Sequence, residues 1–268
     1  MFRKILLALV VTAVPSMGFA QQGQETARAM AIISPDSTST CASTYTFGSG
    51  NTFFKFCVTD NGNITQFESP VGVEHIRNGT FAEGYSVCDV NANKQYYDYA
   101  DAGDSGNWGA PVKTQPNGPN TFPLTIKRTT TDGLFTLTQT FTRVTSERIV
   151  KISTTLKNNV PVAKPVHLIR FADVDANGVF SNYVDQGVEA AWGYNPFQYG
   201  LMLYVATPAI NHFANSLNFG TGQFADSCAL PGNSSATPAL EDGSIYAGYN
   251  FSLGANAAKT VAFEYKRF

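Results

Sequence analysis

From Thr121 onward the chain alternates apolar and polar residues one by one, a period that an extended strand converts into one buried face and one wet face. Across residues 134–143, Phe135, Leu137 and Phe141 share a face; across 148–157, Val150, Ile152 and Leu156 alternate with Lys151, Ser153 and Lys157. Thr130-Thr-Asp-Gly133 and Lys157-Asn-Asn-Val-Pro161 stand between such runs as turn signals. Residues 166–171 read as a more fully apolar strand, and Val261, Phe263 and Tyr265 mark a last one. Earlier strands are expected at 45–47, 52–58 and 64–67. Only 186–192 and 208–215 offer room for a few helical turns, and neither sustains a 3.6-residue period. The pattern predicts an all-β fold, a single-domain antiparallel β-sandwich of the larger kind, with few short helices. Residues 103–120 and 229–239 read as loops within it.

The N-terminus has a different character. Arg3 and Lys4 precede an apolar run from Ile5 to Val14, interrupted only by Thr12, and Gly18-Phe19-Ala20 supplies small residues before Gln21. This is the layout of a secretory signal peptide, and the run is shorter than the roughly 20 residues needed to span a bilayer. The expected organisation is a leader at 1–20, a loose segment at 21–40 and the sandwich at 41–268, in a secreted or periplasmic protein without membrane insertion of the mature chain. The formal net charge is −2 and becomes more negative once Arg3 and Lys4 leave, which argues against nucleic acid as a partner. Cys41, Cys57, Cys88 and Cys228 form an even set with no C-x-x-C spacing, as expected of disulfides in an oxidising compartment. The expected pairs are Cys41 with Cys57, closing a hairpin-sized loop, and Cys88 with Cys228.

A 13-residue pattern occurs twice, at 89–101 and 173–185, with oxygen-bearing side chains at positions one, three, five and thirteen. In the second copy Asp173, Asp175, Asn177, Ser181 and Asp185 are candidate ligands for calcium, a hard cation that takes oxygen donors. This copy resembles the calcium loops of EF-hand and dockerin modules over a dozen residues, with Gly178 at the tight turn. It departs from them at position twelve, where Val184 stands in place of an acid and Asp185 follows one step later. In the first copy Lys94 replaces the glycine, and Asx-turn chemistry is the simpler account.

Catalytic signatures are sparse. Gly103-Asp-Ser-Gly106 resembles the nucleophile motif of chymotrypsin-like proteases, yet Ser105 lies too early, and His75 sits in Val-Glu-His-Ile rather than after Ala-Ala. His75, His167 and His212 are far apart, and no phosphate-binding glycine loop is present. His167 shares a strand face with Asp173, so an acid–base pair is conceivable there, and Glu74, His75 and Arg77 form a second polar group. Aromatic residues cluster beside both acidic patterns. Trp108, Trp192, Tyr194 and Tyr199 are the candidates for stacking on sugar rings, with an extracellular glycan as the expected partner. Two rivals follow from the same sequence. One is a polysaccharide lyase or glycoside hydrolase using Asp173, Asp175, Asp185 and His167; the other is a surface or adhesion component without a small ligand.

Overall fold

The computed structural model describes residues 40–76, 83–144, 147–218, 225–229 and 239–267. The expected leader, nearly all of the expected loose segment, Arg77 and most of the 229–239 loop lie outside these residues. The architecture is almost entirely β. A small antiparallel sheet holds β1 (Ser43–Phe47), β2 (Phe54–Val58) and β3 (Ile64–Glu68). The first half of the large sheet's strands comprises β4 (Glu83–Asp89), β5 (Lys94–Asp98), β6 (Val112–Thr114), β7 (Leu124–Thr129), β8 (Phe135–Val144) and β9 (Ile149–Asn158). Next come β10 (Lys164–Asp173), β11 (Ser181–Gln186), β12 (Ala190–Tyr194) and β13 (Gly200–Val205). The last are β14 (His212–Asn218), β15 (Ala239–Leu253) and β16 (Ala258–Arg267). Their order is β5-β4-β10-β15-β11-β12-β13-β16-β9-β8-β7-β6, with β14 also on β15.

One strand turns this long sheet into a sandwich. The first residues of β15 pair with β11, whereas its remaining length, from Gly243 on, lies between β10 and β14. A Cβ at Gly243 would come within 2.1 Å of Val184 Cγ1, so only glycine lets the two strands approach there. Folded over at this seam, the two halves bury a common core. Leu168, Ile245 and Tyr249 from one half meet Leu137, Ile152, Leu203 and Phe263 from the other.

The alternation predicted for β8 and β9 is the one observed, and the turn at Thr131–Gly133 joins β7 to β8, with Gly133 at φ 73°. The two possible helices are not helices. Residues 190–194 and 212–218 are strands, because Ala191 and Gly193 alternate with Trp192 and Tyr194 and because β14 finds the edge of β15. Long-range pairing overrides the weak local preference. Both expected disulfides, Cys41–Cys57 and Cys88–Cys228, are present and leave no free cysteine, which suits an extracellular or periplasmic setting. Among the described residues no helix is long and apolar enough to cross a membrane.

Two arginines lie in the core itself. Arg170, 1% exposed, donates through Nε to Glu83 Oε1 at 3.0 Å and through Nη1 to Gln139 at 2.5 Å, and Tyr265 Oη donates to the same carboxylate at 2.8 Å. Arg128 donates to Asp98 Oδ2 at 2.5 Å and to Tyr85 Oη at 3.1 Å. Each charge is balanced and hydrogen-bonded, the condition under which ions persist in an interior.

Candidate functional site

The sheet at β11, β12 and β13 has an inner and an outer face, and burial decides which residues occupy each. Ala191 is fully buried and Gly193 lies against Val174, so Trp192 and Tyr194 are turned outward. Register then sets their neighbours. Tyr183 on β11 stands opposite Tyr194, with ring centroids 5.5 Å apart, and Leu240 on β15 stands opposite Tyr183. Trp192 lies between Asp185 on β11 and Met202 on β13. All three aromatic side chains are partly exposed, Leu240 is 52% exposed, and exposed Phe180 and Phe197 flank the same end of the strand pair. Nearby, Tyr204 Oη donates to Glu189 Oε2 at 2.6 Å. The result is a ring-lined surface bordered by carboxylates.

Two of the aromatic candidates lie elsewhere. Trp108 is 1% exposed, in edge contact with Tyr85 and Tyr96, so its ring belongs to the core and offers no face to a ligand. Tyr199 follows the β12–β13 turn, packs against the core, and has the Arg267 guanidinium 5.9 Å from its ring centre.

The acidic pattern at 173–185 is partly gathered. Asp173 ends β10 opposite Ser244, whose Oγ donates to its carboxylate at 3.3 Å. Asp242 shares the side of β15 that bears Ser244. In consequence carboxylate oxygens of Asp173, Asp175 and Asp242 lie within 4.8 Å of one another. Burial, with Asp175 and Asp242 beside it, pushes Asp173 up to about 8. Ser181 pairs with Asp242 across the ladder, and Asn177, exposed at φ 59°, donates its backbone N–H to Glu74 O at 2.6 Å. Asp185 is four residues beyond Ser181, about 13 Å along the strand, and its carboxylate accepts the Gln186 N–H. The third acid thus comes from β15 instead of from the end of the repeated pattern. In the first copy Asp89 is buried and paired with Lys164 at 2.6 Å, and residues 90–93 are the turn of a β4–β5 hairpin.

The remaining polar candidates are committed to the scaffold. His167 bonds Ser227 O through Nδ1 at 2.7 Å and sits six residues, about 20 Å, from Asp173, so the two do not form an acid–base pair. His75 is fully buried, its Nε2 lies 2.8 Å from Ser69 O, and burial lowers it to about 4, leaving it neutral near pH 7. Glu74 Oε1 accepts the N–H groups of Phe67, His75 and Ile76. Ser105 Oγ accepts the Tyr97 N–H within a polar loop.

No protein-family model matches the sequence, and no curated protein matches it significantly. The fold does have counterparts among solved structures. A bacterial glucoamylase complexed with acarbose superposes with a TM-score of 0.58 at 9% identity over 87% of this chain, which spans only 33% of the glucoamylase. A protein of Escherichia coli K12 proposed to be an aldose 1-epimerase gives a TM-score of 0.51 at 10% identity, over 84% of this chain and 99% of that one. The heparan sulfate lyase HepC of Pedobacter heparinus gives 0.48 at 9% identity, over 85% and 35% of the two chains. At such identities the likeness is one of fold.

Proposed function

We propose that the protein is exported and binds an extracellular carbohydrate across the outer face of β11 and β12, with Trp192, Tyr194 and Tyr183 stacking on sugar rings. The observation that carries this reading is the outward placement of these three rings on one sheet face, where they make no core. Apolar ring faces suit the C–H faces of pyranoses, and the carboxylates of Asp185 and Glu189 are placed to accept sugar hydroxyls. The fold shared with a glucoamylase supports the substrate class.

Calcium enters the same reading as a stabiliser. Asp173, Asp175 and Asp242 fit a hard cation in donor type and in spacing, and Ser181 adjoins them. An enzyme acting on polysaccharides is the second reading, favoured by one observation: three carboxylates are gathered at Asp173, Asp175 and Asp242, where burial and the neighbouring acids push Asp173 up to about 8. However, Asp173 and Asp175 are 3% and 1% exposed, which leaves little access for a scissile bond. Binding therefore outranks catalysis.

The test is retention of the refolded chain on a panel of insoluble neutral polysaccharides, with and without calcium, together with an assay for new reducing ends. Retention that is lost in Trp192→Ala supports the binding reading. Release of new chain ends that stops in Asp173→Asn moves the assignment to the enzyme, and absence of both retention and cleavage refutes the carbohydrate reading.

A further inference from the structure

Where the small sheet meets the sandwich there is a cleft of about 570 Å³, walled by the turn after β1, the β8–β9 hairpin and the end of β16. Its charged lining is one-sided: Arg143, Arg148, Lys266 and Arg267 against the single carboxylate of Glu147. Lys266 takes that carboxylate, with Nζ 3.2 Å from Oε2. Among the described residues, none of the three guanidinium groups is paired with a carboxylate. Each is held in place by something uncharged. The Arg143 guanidinium lies 3.9 Å over the Phe47 ring centre, Arg148 Nη1 donates to Asn51 O at 2.5 Å, and Arg267 lies over Tyr199. Arg267 Nε is buried and has no hydrogen-bond partner among the described residues.

Three clustered guanidinium groups in a concavity repel one another, and the conflict shows at Arg267, which burial and the nearby Arg148 charge move below the ordinary arginine value. An anion in the cleft relieves both the repulsion and the unmet donors. Guanidinium forks match the paired oxygens of carboxylate or sulfate, and the volume falls in the usual range for a small-ligand site. The chain as a whole is at −2, so the positive charge is local; a duplex or a membrane surface, which calls for a broad basic face, is a poor match. We propose that this cleft binds the carboxylate or sulfate group of an acidic saccharide. That the anion is carried on a sugar rests on the carbohydrate reading above, whereas the anion site itself stands on the cleft alone. It is also separate from the aromatic surface, whose residues take no part in the lining.

Calorimetric titration of the whole chain at low salt tests the proposal, with trigalacturonate, a chondroitin sulfate tetrasaccharide, neutral maltotetraose and inorganic sulfate as probes. At least one acidic saccharide is expected to bind, with affinity falling as salt rises, and maltotetraose to bind at least about tenfold more weakly in this cleft. Arg148→Gln and, independently, Arg143→Gln should weaken the acidic saccharide by about tenfold or more without moving the melting temperature, and Lys157→Gln, exposed at the opposite end of β9, should leave it unchanged. Equal binding of maltotetraose that Arg148→Gln weakens to the same extent, or full affinity for the acidic saccharide in both arginine variants, overturns the proposal. Inorganic sulfate binding with neither acidic saccharide bound overturns the sugar assignment, and no binding of any anion overturns the site. Failure of the aromatic surface would instead appear as unchanged retention of neutral polysaccharide in Trp192→Ala.

Discussion

Arg170 shows most directly what a single residue does in this core. It occupies a position on β10 where the alternation of Val166, Leu168 and Ala172 calls for an apolar side chain, and that mismatch is its trace in the sequence. Glu83 and Gln139 accept from it on two other strands, and Tyr265 on a third donates to the same Glu83 carboxylate. Arg170→Leu should destabilise by about 3–5 kcal/mol, because Glu83 is left buried without its partner. Adding Glu83→Leu should recover part of that loss in urea unfolding; a double variant less stable than the single one would contradict the account. The two tryptophans separate along the same line. Trp108→Ala should cost about 3–5 kcal/mol as a truncated core aromatic, whereas Trp192→Ala should cost clearly less and act on glycan retention.

At the scale of elements, β15 is the hinge of the architecture and the carrier of the acid that completes the cluster with β10. Asp173 has an ordinary value of 3.8 and is held at about 8 in the folded chain. Between those values the folded state binds more protons than the unfolded one, so this group's contribution is full at acid pH and is lost as pH rises towards 8. Asp173→Asn should therefore flatten the decline in melting temperature between about pH 5 and pH 8. Calcium bound by the three carboxylates should oppose the decline at pH 8 in the wild type and do so much less in Asp242→Asn; identical melting in millimolar calcium and in chelator refutes the ion site. How far the elements could be read in advance follows from where their partners lie. The strands β8 and β9 were legible because each buries one face and they pair across a short turn. The pairing of β14 with β15, and of Asp242 with Asp173, joins segments distant in sequence, and no local period carries that information. Trp192 and Tyr194 were legible as candidates by type, while Tyr183 joined them only through the β11–β12 register. The arginine cleft was not legible at all, since its charges come from two strand ends and a turn that only the closed fold brings together.

Over the whole molecule the two disulfides do different work. Cys88–Cys228 closes 140 residues and pins the 225–229 segment over β4 and β10, where Tyr99 Oη donates to Ala225 O at 2.6 Å and His167 meets Ser227 O. Cys41–Cys57 closes only 16 residues, within the small sheet that supplies Phe47 and Phe54 to the cleft. If a bridge acts chiefly by restricting the unfolded chain, its effect grows with the logarithm of the loop: about 3 kcal/mol for the short one and about 5 kcal/mol for the long one. The Cys88→Ser/Cys228→Ser variant should accordingly lose more stability in urea than Cys41→Ser/Cys57→Ser. The functional losses should run the other way. Freeing the short bridge loosens one wall of the cleft, so acidic saccharide should bind more weakly while retention on neutral polysaccharide persists, because the aromatic surface lies on strands the small sheet does not touch in the ladder. Alkylation of the unreduced protein should label no cysteine, which fixes the starting state for both comparisons. Equal stability losses in the two double variants would show that loop length does not govern these bridges. Unchanged acidic-saccharide binding in the short-bridge variant would show that the cleft wall holds without its covalent tie.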